Sequence, residues 1–94
     1  MSTTLKAEYS FKGSGGGECT VINISPGGAG LEFCSSEPIN VGATLVLKIF
    51  APEGKDAVDT EGIIKWSKQG EKHFVCGVAL TDVLDKFALS VLGV

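Results

Sequence analysis

Asn23-Ile24-Ser25-Pro26-Gly27-Gly28 places an amide, a hydroxyl and two unhindered backbone positions within one short stretch. In extended chain, residues two apart point to the same side. The Asn23 carboxamide and the Ser25 hydroxyl would then line one small concavity with donors and acceptors of both kinds. Gly27 and Gly28 would let a flat or anionic group come close to the backbone. Two readings are open. One is an ordinary hairpin turn between Thr20-Val21-Ile22 and Ala29-Gly30-Leu31-Glu32-Phe33; the other is a polar corner that contacts a ligand.

Other reactive residue types do not assemble into a site. His73 is the only histidine, and no nucleophile-elbow pattern accompanies Ser25 or any other hydroxyl. Cys19, Cys34 and Cys76 are an odd set without a Cys-x-x-Cys pair, so neither a zinc spacing nor a disulfide framework is present. Each falls in an expected strand, where cysteine behaves as a small buried hydrophobe. Glu8, Glu18, Glu32, Asp59 and Glu61 are scattered along strands and read as a solvated face. Gly13-Ser14-Gly15-Gly16-Gly17 leads into Glu18 and a strand, not into Gly-Lys-Ser and a helix, so it reads as a hairpin tip and not as a phosphate cradle. Gly54-Lys55 is followed by Asp56 and lies in a turn beginning at Ala51-Pro52. No enzyme, metal site or cofactor is expected.

The elements that must position the polar corner are strands. One runs from about Leu5 to Phe11. In Ala43 to Phe50, Leu45, Leu47 and Ile49 share a face opposite Thr44, Val46 and Lys48. In Lys72 to Leu80, Phe74, Cys76, Val78 and Leu80 share a face opposite His73, Val75 and Ala79. Ala57 to Trp66 alternates imperfectly, and Gly62 within it predicts a bulge or sharp bend. Short strands joined by Gly- and Pro-containing turns predict antiparallel neighbours curled into a sandwich or barrel. Val83, Leu84, Phe87, Ala88, Val91 and Leu92 recur at helical spacing and predict one closing helix. Thr81 or Asp82 would cap its start, Gly93 would end it, and its single apolar stripe would pack on the barrel or, as the alternative, on another chain.

At 94 residues the chain reads as one domain, 1–94, able to bury roughly two-thirds of its unfolded surface. A 44% hydrophobic and 20% charged composition is that of a globular chain. The formal net charge of -3 excludes a basic stripe that would track a nucleic-acid polymer. The N-terminus lacks a basic region followed by an apolar run, and no stretch nears the ~20 apolar residues of a membrane span. With thiols unpaired, the expected location is cytoplasmic, without membrane insertion.

The spacing Asn23-x-Ser25-x-x-Gly28 resembles a signature of the PilZ domain family, Asp/Asn-x-Ser-x-x-Gly, which contacts cyclic-di-GMP. Leu31-Glu32-Phe33, Val41-Gly42, Ile63-Ile64-Lys65-Trp66 and Gly77-Val78 follow in the order and spacing that such domains show, so the resemblance covers most of the chain. It implies an all-β, mainly antiparallel fold: a small six-stranded β-barrel with one C-terminal α-helix. It also implies a non-enzymatic module of bacterial cyclic-di-GMP signalling, with Asn23, Ser25, Gly27 and Gly28 as ligand contacts. One departure weighs against nucleotide binding. Members that bind the nucleotide resemble one another in an upstream Arg-x-x-x-Arg, whereas all 8 basic residues here are lysine. A guanidinium grips phosphate or guanine through a planar fork and stacks on a purine; an ammonium is a point charge. Lys6 and Lys12 would offer partial charge compensation without that geometry. The expected function is therefore docking to a protein partner in motility, pilus or surface-attachment control, with weak or no nucleotide binding. The alternative is a cyclic-di-GMP receptor in which lysine replaces arginine.

Overall fold

The computed structural model describes residues 2–11, 15–33, 40–70, 73–81 and 83–93. Six strands form a closed antiparallel barrel: β1 (Ser2–Phe11), β2 (Gly16–Ser25), β3 (Gly28–Phe33), β4 (Thr44–Phe50), β5 (Ala57–Gln69) and β6 (Phe74–Leu80). They make two meanders, β1-β2-β3 and β4-β5-β6. Their outer strands pair with each other, β1 with β4 and β3 with β6, which closes the order β1-β2-β3-β6-β5-β4. Closure leaves β3 and β6 paired on both sides, with no row of unpaired backbone groups on those strands for another chain to join. The barrel expected from the resemblance is the barrel observed.

Alternation decides which side chains go inside. Leu45, Leu47 and Ile49 of β4 are wholly buried, as are Val21, Leu31, Ile64 and Cys76. Phe74, Val78 and Leu80 join them from the inward face of β6. Each such aliphatic side chain contributes about 1.5–3 kcal/mol by leaving water. No polar or charged residue is buried among the described residues.

Burial also sets the thiols. It pushes the Cys19 thiol up to about 12, with the nearby Cys76 adding to the effect, and pushes Cys76 up to about 11. Tyr9 is raised as well, first by burial and then by Cys19. Unfolded thiols therefore lose protons at lower pH than folded ones. Stability is fully present below about pH 9, the ordinary thiol value, and falls as pH rises through the folded values. Melting temperature is expected to be flat from pH 7 to 8 and to drop steadily from pH 9 to 11. Replacing both cysteines by alanine flattens that slope; a slope left unchanged refutes the thiol origin. Because only thiolates react with disulfide reagents, Cys19 and Cys76 stay unlabelled at pH 8 until denaturant is added.

Two local expectations are corrected. The first concerns the bulge in β5. Gly62 pairs regularly with Leu45 and Leu80, and the register shift falls between Ile64 and Trp66, leaving Lys65 as the extra residue. Gly62 serves close approach instead: a Cβ there would collide with the Val78 side chain and lie 2.8 Å from the Ala79 carbonyl oxygen.

The second concerns the closing helix, α1, which spans only Lys86–Val91 and is capped by Asp85, whose side chain accepts the Ala88 N–H at 2.8 Å. Thr81 is not the cap, and Asp82 lies outside the described residues. The chain before the helix is held against the barrel by tertiary bonds. The N–H groups of Leu80, Thr81 and Leu84 donate to the carbonyls of Gly27, Glu61 and Pro26 at 3.0, 2.8 and 2.8 Å. The apolar stripe is consequently split. Leu84 and Leu92 seal the barrel end, while Val83 and Phe87 are 70% and 78% exposed. Gly93, at φ 77°, follows the helix as its spacing predicts.

Candidate functional site

The polar corner begins with the β2–β3 hairpin. Ser25 pairs with Gly28 around Pro26 and Gly27, and the Ser25 hydroxyl donates to the Gly28 carbonyl at 3.4 Å. Neither Gly27 nor Gly28 has positive φ; the positive-φ glycines among the described residues are Gly42, Gly54 and Gly93. Gly27 shapes the turn, its carbonyl accepting from Leu80.

Two bulges then re-aim the flanking strands. In β2, Val21 pairs with Leu31 but Asn23 pairs with Gly30, so Ile22 is inserted. In β5, Ile64 pairs with Val78 but Trp66 pairs with Gly77, so Lys65 is inserted. A bulge bends its strand and redirects the neighbouring side chain. Between the two bulges lie β3 and β6, where Gly30 pairs directly with Gly77. The result is one row across four strands, Asn23–Gly30–Gly77–Trp66, on the outer wall of the barrel.

Both glycines in this row are required by what lies over them. A Cβ on Gly30 would come within 2.6 Å of the Asn23 carboxamide, and one on Gly77 would collide with the indole Nε1 of Trp66. The two side chains thus fold inward over a glycine floor. A cavity of about 320 Å³ results. Gly28, Ala29 and Gly30 of β3 and Gly77, Val78 and Ala79 of β6 form its floor; Asn23 and Ser25 stand on one side, Lys65 and Trp66 on the other. Its chemistry combines an amide, a hydroxyl, one ammonium and an aromatic face that remains 51% exposed.

The residues expected from sequence distribute unevenly. Asn23, Ser25 and Gly28 come together in the depression, whereas Gly27 is at the turn beside it. Lys6 is exposed on β1 opposite Thr20 and does not line the depression. Lys12 lies outside the described residues. The sequence pattern does not mark Lys65, Trp66, Gly30 and Gly77 as site residues. Imperfect alternation in β5 signals a bulge without revealing which side chains the bulge turns inward.

His73 Nε2 stands 3.7 Å from Glu32 Oε2, both side chains being partly exposed. Among the described residues no group of three or more His, Cys, Asp or Glu side chains could hold a metal ion. No described helix is long and apolar enough to cross a membrane.

A closed six-stranded barrel, sealed at one end by a short helix and carrying this corner on its wall, defines a class of small binding module. The family model described as PilZ domain matches residues 3–89, and the chain belongs to that family. PilZ domains are in general non-enzymatic binding modules with a cyclic-di-GMP context. Among solved structures the chain is similar to the Bacillus subtilis inhibitor of motility, MotI/DgrA, with a TM-score of 0.74 and 14% sequence identity. That match covers 99% of this chain but 46% of the other, so the chain spans about half the length of that neighbour. At this identity the likeness is one of fold. No curated protein matches the chain in sequence.

Proposed function

We propose that this chain is a non-enzymatic PilZ module of bacterial cyclic-di-GMP signalling that acts by docking to a protein partner and holds the nucleotide weakly or not at all. The observation that carries this reading is the cation content of the depression. Among the described residues Lys65 is the only cationic side chain lining it, and the sequence contains no arginine. A dianionic dinucleotide would meet a single point charge where planar, bidentate donors would be needed. The overall charge of -3 further opposes such a ligand. On this reading the partner acts in motility, pilus or surface-attachment control in the cytoplasm.

A second reading has its own support: Asn23, Ser25, Lys65 and Trp66 share one depression, which is a fair ligand surface. On that reading Asn23 bonds a guanine edge, Ser25 donates to a phosphate or base, and Lys65 supplies the charge. Titration calorimetry separates the two. With cyclic-di-GMP at about 100 μM no heat is expected, which bounds binding at weaker than roughly -5 to -6 kcal/mol. Sub-micromolar binding overturns the docking reading. Weak heat that vanishes as salt rises marks a charge-only grip and favours docking, because exposed charge pairs are screened within about 10 Å at 0.1 M salt.

A further inference from the structure

We infer that the depression seats an acidic segment of the partner protein, with one carboxylate against Lys65 and one flat or branched apolar side chain laid on Trp66. This rests on the docking reading and specifies its partner.

Charge is the first argument. The chain is acidic overall, yet among the described residues the depression is lined by one lysine and no carboxylate. Lys65 has no ion-pair partner among the described residues, so its charge is available to a ligand. The acid on the floor strand nearest the depression is Glu32, two positions from Gly30, and its carboxylate faces His73. A local reversal of sign within an acidic molecule selects an anionic partner group and rejects a cationic one.

Closure is the second. The floor strands β3 and β6 are each paired on both sides, so neither offers an edge to which a partner could add a strand. Recognition on that floor passes through side chains. A cavity of about 320 Å³ accommodates one or two side chains but not a helix, which is about 10–12 Å across.

Apolar surface beside the cation is the third. Trp66 is half exposed, and outward-facing Ile63 lies on the same strand. The Gly42 N–H donates to the Ile64 carbonyl at 2.7 Å, which sets the turn carrying exposed Val41 beside β5. The partner group next to the carboxylate is therefore apolar. A bilayer fits less well, since the indole lies down on Gly77 within a concave wall and does not project from a convex one.

The test uses the isotope-labelled chain and amide chemical-shift mapping. Probes are a short blocked peptide with one phenylalanine flanked by glutamates and its counterpart flanked by lysines. The acidic peptide is expected to shift the Gly30 and Gly77 amides and the Trp66 indole N–H, and the basic one to leave them in place. Lys65→Glu should weaken the acidic response about fivefold or more, the exposed attraction having become repulsion. Lys65 is exposed, so a well-dispersed spectrum of that variant is expected and verifies its fold. Equal shifts with both peptides overturn the proposal, as do no shifts at millimolar peptide or shifts that survive Lys65→Glu. A response to phosphatidylglycerol vesicles with none to either peptide overturns it in favour of a membrane. Shifts centred on Val83 and Phe87 overturn the placement of the site while leaving the docking reading intact; only tight cyclic-di-GMP binding removes that reading.

Discussion

Leu31→Ala is expected to cost about 2–5 kcal/mol and to lower the melting temperature by roughly ten degrees or more. Leu31 is wholly buried in β3, and its direct neighbours on either side, Val21 and Cys76, are equally buried. No side chain in that row is exposed enough to swing in and refill the space, so the cavity term adds to the lost transfer energy. A domain of this length holds roughly 5–14 kcal/mol in total, and a single substitution would remove a large share of it. The outer neighbours of Leu31 matter as much. Gly30 and Glu32 flank it in sequence, and Gly30 is half of the glycine pair that floors the depression. Urea denaturation should show the loss of stability, and amide exchange at Gly30 and Gly77 should quicken with it. A cost below about 1 kcal/mol would mean that the barrel collapses around the site more freely than its packing implies.

The inward face of the barrel was legible because strands bury every second residue. Leu45, Leu47 and Ile49, and Phe74, Cys76, Val78 and Leu80, are read directly from alternation and lie where it puts them. The site was half legible for the same reason. Asn23 and Ser25 share a side because they are two apart, and both reach the depression. Its other wall was hidden, since a one-residue insertion at Lys65 turns Trp66 to a face that simple alternation denies it. The helix was misjudged for a different reason. Apolar spacing predicts the helix from its own residues, but the backbone bonds of Thr81 and Leu84 to Glu61 and Pro26 are tertiary. Those bonds hold the first apolar residues of the stripe outside the helix, which begins only after Asp85 caps it. The missing planar cation was legible throughout, being a matter of composition alone.

Gly77→Val should be destabilising in the native background and neutral or stabilising once Trp66 is alanine. The sign change follows from what occupies the space above Gly77. Any Cβ there collides with the Trp66 indole, which must swing off the floor and give up the packing it has over the strand. Overpacking of this kind costs typically about 1–3 kcal/mol. In the Trp66→Ala background the same position opens outward onto solvent, and a β-branched residue then suits the strand by up to about 1 kcal/mol. The double-mutant cycle should return a coupling energy of about 1–3 kcal/mol, and equal costs in both backgrounds would show that the indole is not anchored on Gly77. Because Trp66 is the only tryptophan, its emission reports the move without interference: Gly77→Val should shift it to longer wavelength as the ring enters water. The same variant should abolish the response to the acidic peptide even though Lys65 is untouched. The anion and the apolar side chain need both walls of the depression, and one wall is this indole held down over a residue with no side chain.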